Sequence, residues 1–168
     1  MPYIIPLLEF TMPELDRPVS SRQIRPALFI SSSVIERSSD FLNHIFTALT
    51  DKGCRTALVA PPDCEDNVLV SPATEIIPYP FYRMPLLYWH NKQRLCDQLA
   101  KFGPNLLHCI SEDKASLTRL MAQKLNLPYI LTAYSVRKPR REDILSPYCE
   151  KVLVPGKRLI AHLEKQFP

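Results

Sequence analysis

The chain has 168 residues, long enough for one domain with a real core, and its 46% hydrophobic and 23% charged content is ordinary for a soluble globular protein. A balance of 17 prolines against 3 glycines excludes a glycine-rich phosphate loop. The net charge of +4 reads as a solvated surface, because a small charge excess mainly serves solubility.

Five cysteines (Cys54, Cys64, Cys96, Cys109, Cys149) are scattered, odd in number and never form a Cys-x-x-Cys pair. Several fall in apolar segments, so buried, reduced thiols in a cytosolic protein are expected. His44, His90, His108 and His162 have no metal-ligand spacing with each other or with the cysteines. Neither a metal nor any other cofactor is expected. No apolar run approaches transmembrane length. The opening MPYIIPLLEF is broken by Pro2 and Pro6 and lacks a basic flank and a cleavage site, so it is neither signal peptide nor anchor.

Residues 1–25 carry Pro2, Pro6, Pro13 and Pro18 without helical period, and read as an extended N-terminal arm packed on the domain or on a neighbour. The repeating part, residues 26–168, opens with a strand at Ala27 to Ile30. Phe41, Leu42, Ile45, Phe46 and Leu49 mark a helix closed by Gly53 as left-handed cap residue. Ser33 with Glu36 could form a capping box for it, and Ser38 or Ser39 could equally start it. Thr56 to Ala60 is a second strand, stopped by Pro61-Pro62. After a polar loop, Thr74 to Ile77 is a short third strand ending in a Pro78-Tyr79-Pro80 turn. Leu87 to Phe102 is a helix with Leu95, Leu99 and Phe102 inward, ended by Gly103-Pro104.

The stretch from Pro104 to Ser135 is the most informative. Leu106, Leu107, Cys109 and Ile110 are apolar around His108, and Tyr129, Ile130 and Leu131 start a second run. Continuous apolar runs suggest strands covered on both faces. Between them Leu117, Leu120, Met121 and Leu125 share one helix face. A basic, proline-broken loop (RKPRRED) precedes a last strand at Val152 to Val154, and Leu159, Ile160, Leu163 and Phe167 define a final helix after Gly156. Six strands alternating with helices predict an α/β protein: a doubly wound, Rossmann-like parallel sheet with helices on both faces, as a single domain. Open parallel sheets bind ligands beyond the carboxyl ends of their strands.

The block PNLLHCISEDKASLTRLMAQKLNLPYILTAYS resembles the N-terminal domain of family-four retaining glycosyltransferases of the GT-B fold. That region of the family reads P-D-[IV]-[IV]-H-x-H-S, a helix, then a strand ending in T-x-H. Pro104, His108, Ser111 and the Leu131-Thr132 pair match it. Gly53 with its following strand resembles the family's "R-G-H-E-V" step, and CEKVLVPGKRLIAHLEKQFP resembles the element before the inter-domain linker. The resemblance covers residues 26–168. It implies the acceptor-side half of an enzyme that transfers a sugar from a nucleotide-sugar donor to a sugar or lipid-linked acceptor. The donor-binding acidic motif belongs to a C-terminal domain that this sequence lacks, so the isolated chain is expected to be inactive. The chain also departs from the pattern. Ile110 stands at the second His of H-x-H, Tyr134 at the His closing T-x-H, and Glu36-Arg37 near a Gly-Gly pair. These departures keep a second reading open: a non-catalytic binding or regulatory module on the same fold.

The strand ends nominate Ser31, Ser32, Ser33, Glu36 and Arg37, then Ser111, Glu112 and Lys114, then Tyr134, Arg137 and Lys138 as cleft residues. Tyr134 is the catalytic candidate; it could position a sugar hydroxyl, yet a phenol is a poor base at neutral pH. Helix N-capping is the favoured alternative for Ser33 and Ser111. Glu112 and Asp113 make the helix start after Ser111 a poor phosphate cradle. His108 reads equally as a satisfied core histidine and as a site residue. Arg137, Lys138, Arg140 and Arg141 form the densest charge cluster. It suits a solvated loop, a grip on a diphosphate or acidic acceptor, or an anionic membrane surface. The expected location is cytoplasmic, with peripheral contact at the inner membrane face under that last option. Nucleic acid is not an expected partner, for want of aromatic interleaving. A dinucleotide enzyme is disfavoured too, since the first strand leads into SSSVIERSS without glycine.

Overall fold

The computed structural model describes residues 3–5, 23–62, 74–79, 85–134 and 140–166. Its strands are β1 (Tyr3–Ile5), β2 (Pro26–Phe29), β3 (Thr56–Ala60), β4 (Thr74–Pro78), β5 (Leu106–Cys109), β6 (Tyr129–Thr132) and β7 (Cys149–Val154). The helices are α1 (Ser32–Arg37), α2 (Ser39–Asp51), α3 (Pro85–Phe102), α4 (Ala115–Leu125), α5 (Arg141–Ile144) and α6 (Lys157–Gln166). A 3-10 turn at Glu112–Lys114 leads into α4.

One sheet holds all seven strands in the order β1-β7-β6-β5-β2-β3-β4. Strands β2 to β7 run parallel, as the alternation of strands and helices predicts. β1 is an addition: Tyr3–Ile5, from the expected arm, pairs antiparallel with Ile5 opposite Val152 and Tyr3 opposite Val154. An antiparallel edge strand is a common finish to a parallel sheet.

The sheet divides the apolar residues into two layers. On one side Ala27, Phe29, Val59, Leu107, Cys109, Leu131 and Val152 pack with Leu95, Leu99 and Phe102 of α3, Met121 and Ala122 of α4, Ile144 of α5 and Leu163 of α6. On the other side Leu28, Ile30, Leu58 and Ala60 pack with Ile35 of α1 and with Leu42 and Phe46 of α2. Phe41, expected to help mark the inward face of α2, is exposed.

β2 and β3 are buried along their whole length, as a strand covered on both faces must be. β5 and β6 differ from that expectation: buried and half-buried residues alternate along them. The reason is coverage, since α1 and α2 lie over β2 and β3, leaving Leu106, His108, Ile130 and Thr132 half-buried. Gly53 and Gly103 follow α2 and α3 with φ of +70° and +68°, the left-handed turn that glycine enters without Cβ strain. Asn126 takes the same role after α4, at φ +51°.

The basic loop also departs from expectation. Arg141–Ile144 forms the short helix α5, which docks on α4 through Asp143. Cys54, Cys109 and Cys149 are buried free thiols and Cys96 is half-buried, whereas Cys64 lies outside the described residues. Burial pushes the Cys109 and Cys149 thiols up to about 12, so both are inert at neutral pH.

Candidate functional site

Neighbouring strands β2 and β5 send their chains to opposite sides of the sheet: β2 into α1, β5 into the turn before α4. Their diverging ends open the crevice that a doubly wound sheet offers to ligands. The crevice here is a cavity of about 570 Å³ lined by Ser31, Ser33, Val34, Arg37, Ser38, Ser111, Glu112, Asp113 and Tyr134.

Its floor is held by bonds between residues 80 to 82 apart in sequence. The N–H groups of Ile110 and Ser111 both donate to the Phe29 carbonyl, at 3.1 and 3.3 Å. The Ser31 N–H donates to Ser111 Oγ at 2.8 Å, and the Ser31 hydroxyl donates to the same oxygen at 3.2 Å. Ser31 and Ser33 share a further hydroxyl contact of 3.1 Å. This corrects the capping expectation. Ser111 precedes the 3-10 turn without a side-chain cap bond, because its hydroxyl is committed across the sheet to Ser31. Ser33 lies inside α1, not at its start, so the Ser33–Glu36 capping box does not form; Ser31 and Ser38 hold the cap positions of α1 and α2, also without side-chain cap bonds.

Ser111 is therefore a staple for the crevice floor. Ser111→Ala removes the acceptor of a buried N–H and is expected to cost about 1–3 kcal/mol, read as a lower urea midpoint. Ser33→Ala, at an exposed residue whose hydroxyl meets only that of Ser31 in the bonds described above, should stay within about 0.5 kcal/mol.

The walls carry the charge. Arg37, exposed at the end of α1, faces a side supplied by Glu112 and Asp113. Asp113 is paired with Lys114 at 2.7 Å. Glu112 Oε1 accepts the backbone N–H of Tyr134, fixing the end of β6 against the 3-10 turn. The Tyr134 side chain is 46% exposed, and its hydroxyl is pushed up from the usual phenol value by partial burial and then by the Glu112 carboxylate. At neutral pH it is a protonated hydroxyl that can donate or accept a hydrogen bond, and it is no base.

Of the nominated residues, the structure thus brings together Ser31, Ser33, Arg37, Ser111, Glu112 and Tyr134. Ser32 and Glu36 are exposed on α1 and do not line the cavity, and Lys114 turns to Asp113. His108 sits away from the cavity, with Nε2 2.9 Å from Thr132 Oγ1 on the neighbouring strand. Arg137 and Lys138 lie outside the described residues. Val34, Ser38 and Asp113 line the cavity without having been nominated. For Ser38 the signal was its place at the α1–α2 junction, where the chain turns beside the strand end. No group of three or more His, Cys, Asp or Glu side chains suited to a metal occurs among the described residues. No helix among them is long and apolar enough to cross a membrane.

No family model matches the chain. No curated protein matches it. Among solved structures the chain is similar to MurG from Acinetobacter baumannii, with 12% identity and a TM-score of 0.56 over 77% of this chain and 40% of that one. The lipopolysaccharide outer core galactosyltransferase WaaB gives 10% identity and 0.54 over 86% and 43%. A UGT transferase from Siraitia grosvenorii, solved in complex with UDP, gives 12% and 0.50 over 67% and 28%. The chain spans less than half the length of each of these. The fold is a Rossmann-like α/β domain of the kind that forms half of a GT-B glycosyltransferase.

Proposed function

We propose that this chain is the N-terminal, acceptor-side domain of a retaining, family-four glycosyltransferase. It would work with a donor-binding domain to move a sugar from a nucleotide-sugar donor to a sugar or lipid-linked acceptor, at the cytoplasmic face of a membrane. The observation that supports this best is the crevice at the β2–β5 divergence. Its hydroxyl, carboxylate, guanidinium and phenol groups suit a polyhydroxylated ligand, whose hydroxyls both donate and accept. Glu112 and Arg37 would orient the acceptor from opposite walls, and Tyr134 would hold the attacking hydroxyl by a hydrogen bond. The donor nucleotide would be held mainly by the other domain, since the crevice has one arginine and two carboxylates at its rim. The UDP bound in the Siraitia grosvenorii structure supports the donor class.

The test is a saccharide array probed with this chain, followed by titration calorimetry with UDP-glucose and UDP-N-acetylglucosamine. Saccharide binding that falls at least about tenfold in Glu112→Gln is expected, as loss of a charged hydrogen bond would give, together with no turnover by the chain alone. Binding of the UDP-sugars without saccharide binding would sink the assignment to the acceptor side.

A second reading, a binding or regulatory module without chemistry, is favoured by two observations. Ile110, at the family's second histidine, is sealed in the α1–α2 layer, and the Tyr134 hydroxyl is held protonated. With the donor half present, Tyr134→His separates the two. Loss of an existing transfer activity makes Tyr134 a working variant, whereas no change in an inactive protein supports the module.

A further inference from the structure

The sheet has one region that the described helices leave half-covered. On the α1–α2 side the buried residues come from β2, β3 and Ile110 just past β5. Leu106 and His108 of β5 and Ile130 and Thr132 of β6 are only half-buried. So is Leu153 of β7, which alternates with Val152 and Val154 of the opposite layer. The register sets these residues in rows: His108 lies beside Ile130, and Thr132 beside Leu153. His108 Nε2 and Thr132 Oγ1 meet at 2.9 Å, so the two polar side chains partner each other and the face can accept apolar cover. Burial lowers the His108 imidazole from its usual value to about 4, as suits a covered ring and not one facing water.

The path of the chain leads past this face. β1 and β2 are four strand spacings apart, roughly 19 Å, with β7, β6 and β5 between them. β1 runs antiparallel to the rest, so it leaves at the end of the sheet where β2 enters. Residues 6–22 and Gln23 to Arg25 join the two, and the former alone can reach about 55 Å. The opposite side of the sheet is filled by α3 to α6. In Leu8-Glu9-Phe10-Thr11-Met12 apolar and polar residues alternate, the pattern of an extended segment with one apolar edge.

We propose that Leu8, Phe10 and Met12 of the N-terminal arm pack across Leu106, Ile130 and Leu153 and cover this face of the sheet. Leu8 to Met12 spans about 13 Å when extended, enough to cross the roughly 10 Å from β7 to β5. Pro6 has no N–H with which to continue the β1–β7 ladder, so the chain is free to leave the edge there. A passage below the strand ends would leave all six apolar side chains facing water, which the hydrophobic effect opposes. The arm is tethered beside the face at both ends, by β1 and by β2, and that high effective concentration selects it over the arm of a second copy. The proposal goes beyond the functional reading above and does not rest on it, since its tests involve no sugar.

The full chain carrying Phe10→Cys and Ile130→Cys is treated with a short bismaleimide, whose reach matches the roughly 10 Å between packed layers. Peptide mass spectrometry should find positions 10 and 130 joined within the monomer. Phe10→Cys with Ala161→Cys, exposed on α6 across the sheet, should stay unlinked. Diethyl pyrocarbonate is the second probe. His108 should react about tenfold faster in Phe10→Ser than in the natural chain, as loss of part of a phenylalanine's burial would allow. The exposed His44 and His90 are the internal references, and circular dichroism confirms that the variants fold. Absence of the link between positions 10 and 130 overturns the proposal, as does an unchanged rate at His108. A link found only in dimers overturns it too, and assigns the face to the arm of a second copy.

Discussion

Arg119→Ala is expected to destabilise the domain by about 3 kcal/mol, and to cost more than Asp143→Asn. Asp143 is 1% exposed, within a four-residue helix that would not form alone. Its carboxylate accepts Arg119 Nε at 2.9 Å and Ser116 Oγ at 3.1 Å, both from α4. The Tyr129 hydroxyl donates to its backbone carbonyl from β6. Arg119 also reaches Glu142 at 3.3 Å and keeps a quarter of its side chain in water.

The asymmetry follows from burial. Removing Arg119 leaves a carboxylate stranded in the interior with one serine for company. Removing the charge from Asp143 leaves a guanidinium that still has Glu142 and solvent, so about 1–2 kcal/mol is expected. The double variant should be more stable than Arg119→Ala alone, because the stranded charge is gone. Urea denaturation of the four proteins measures this cycle. Equal losses in the two single variants would show that the buried carboxylate is not the dominant cost.

The second large effect is acid sensitivity at His108. Burial lowers its imidazole from the usual 6.5 to about 4. The unfolded chain takes up a proton as pH drops below 6.5, while the folded chain resists until about 4. This contribution to stability is therefore complete above 6.5 and is lost between 6.5 and 4. The loss amounts to about 2–3 kcal/mol, or about 4–12 °C in melting temperature for a domain of this size. His108→Gln can keep a hydrogen bond to Thr132 Oγ1 and does not titrate. The gap in melting temperature between the natural chain and this variant should shift in the variant's favour by that amount from pH 7 to pH 4. A constant gap across the range would place the acid sensitivity elsewhere.

The elements most legible in the sequence were those whose own burial repeats with a clean period. The runs at Ala27–Ile30 and Thr56–Ala60 are buried throughout, and Leu95, Leu99 and Phe102 face inward as their spacing requires. Short elements that depend on tertiary support were hidden. Tyr3–Ile5, between two prolines, becomes a strand because β7 offers it an edge. Arg141–Ile144 becomes helical because Arg119 and Ser116 wait for Asp143. The strand-end rule gave the crevice its location, but no local pattern could tell that Ser111 bonds Ser31 rather than capping its own helix. The same gap hid the partial cover of β5 and β6, which depends on where α1 and α2 come to rest.

The two apolar layers are unequal among the described residues, and the crevice straddles them: Arg37 ends a helix on the lighter layer, and Glu112 opens the path to α4 on the heavier. Uneven layers open at different free-energy cost, so the α1–α2 unit should breathe before the rest of the domain does. A ligand spanning Arg37 and Glu112 would act as a thermodynamic clasp on that unit. Its measured affinity would then contain the work of holding the lighter layer shut.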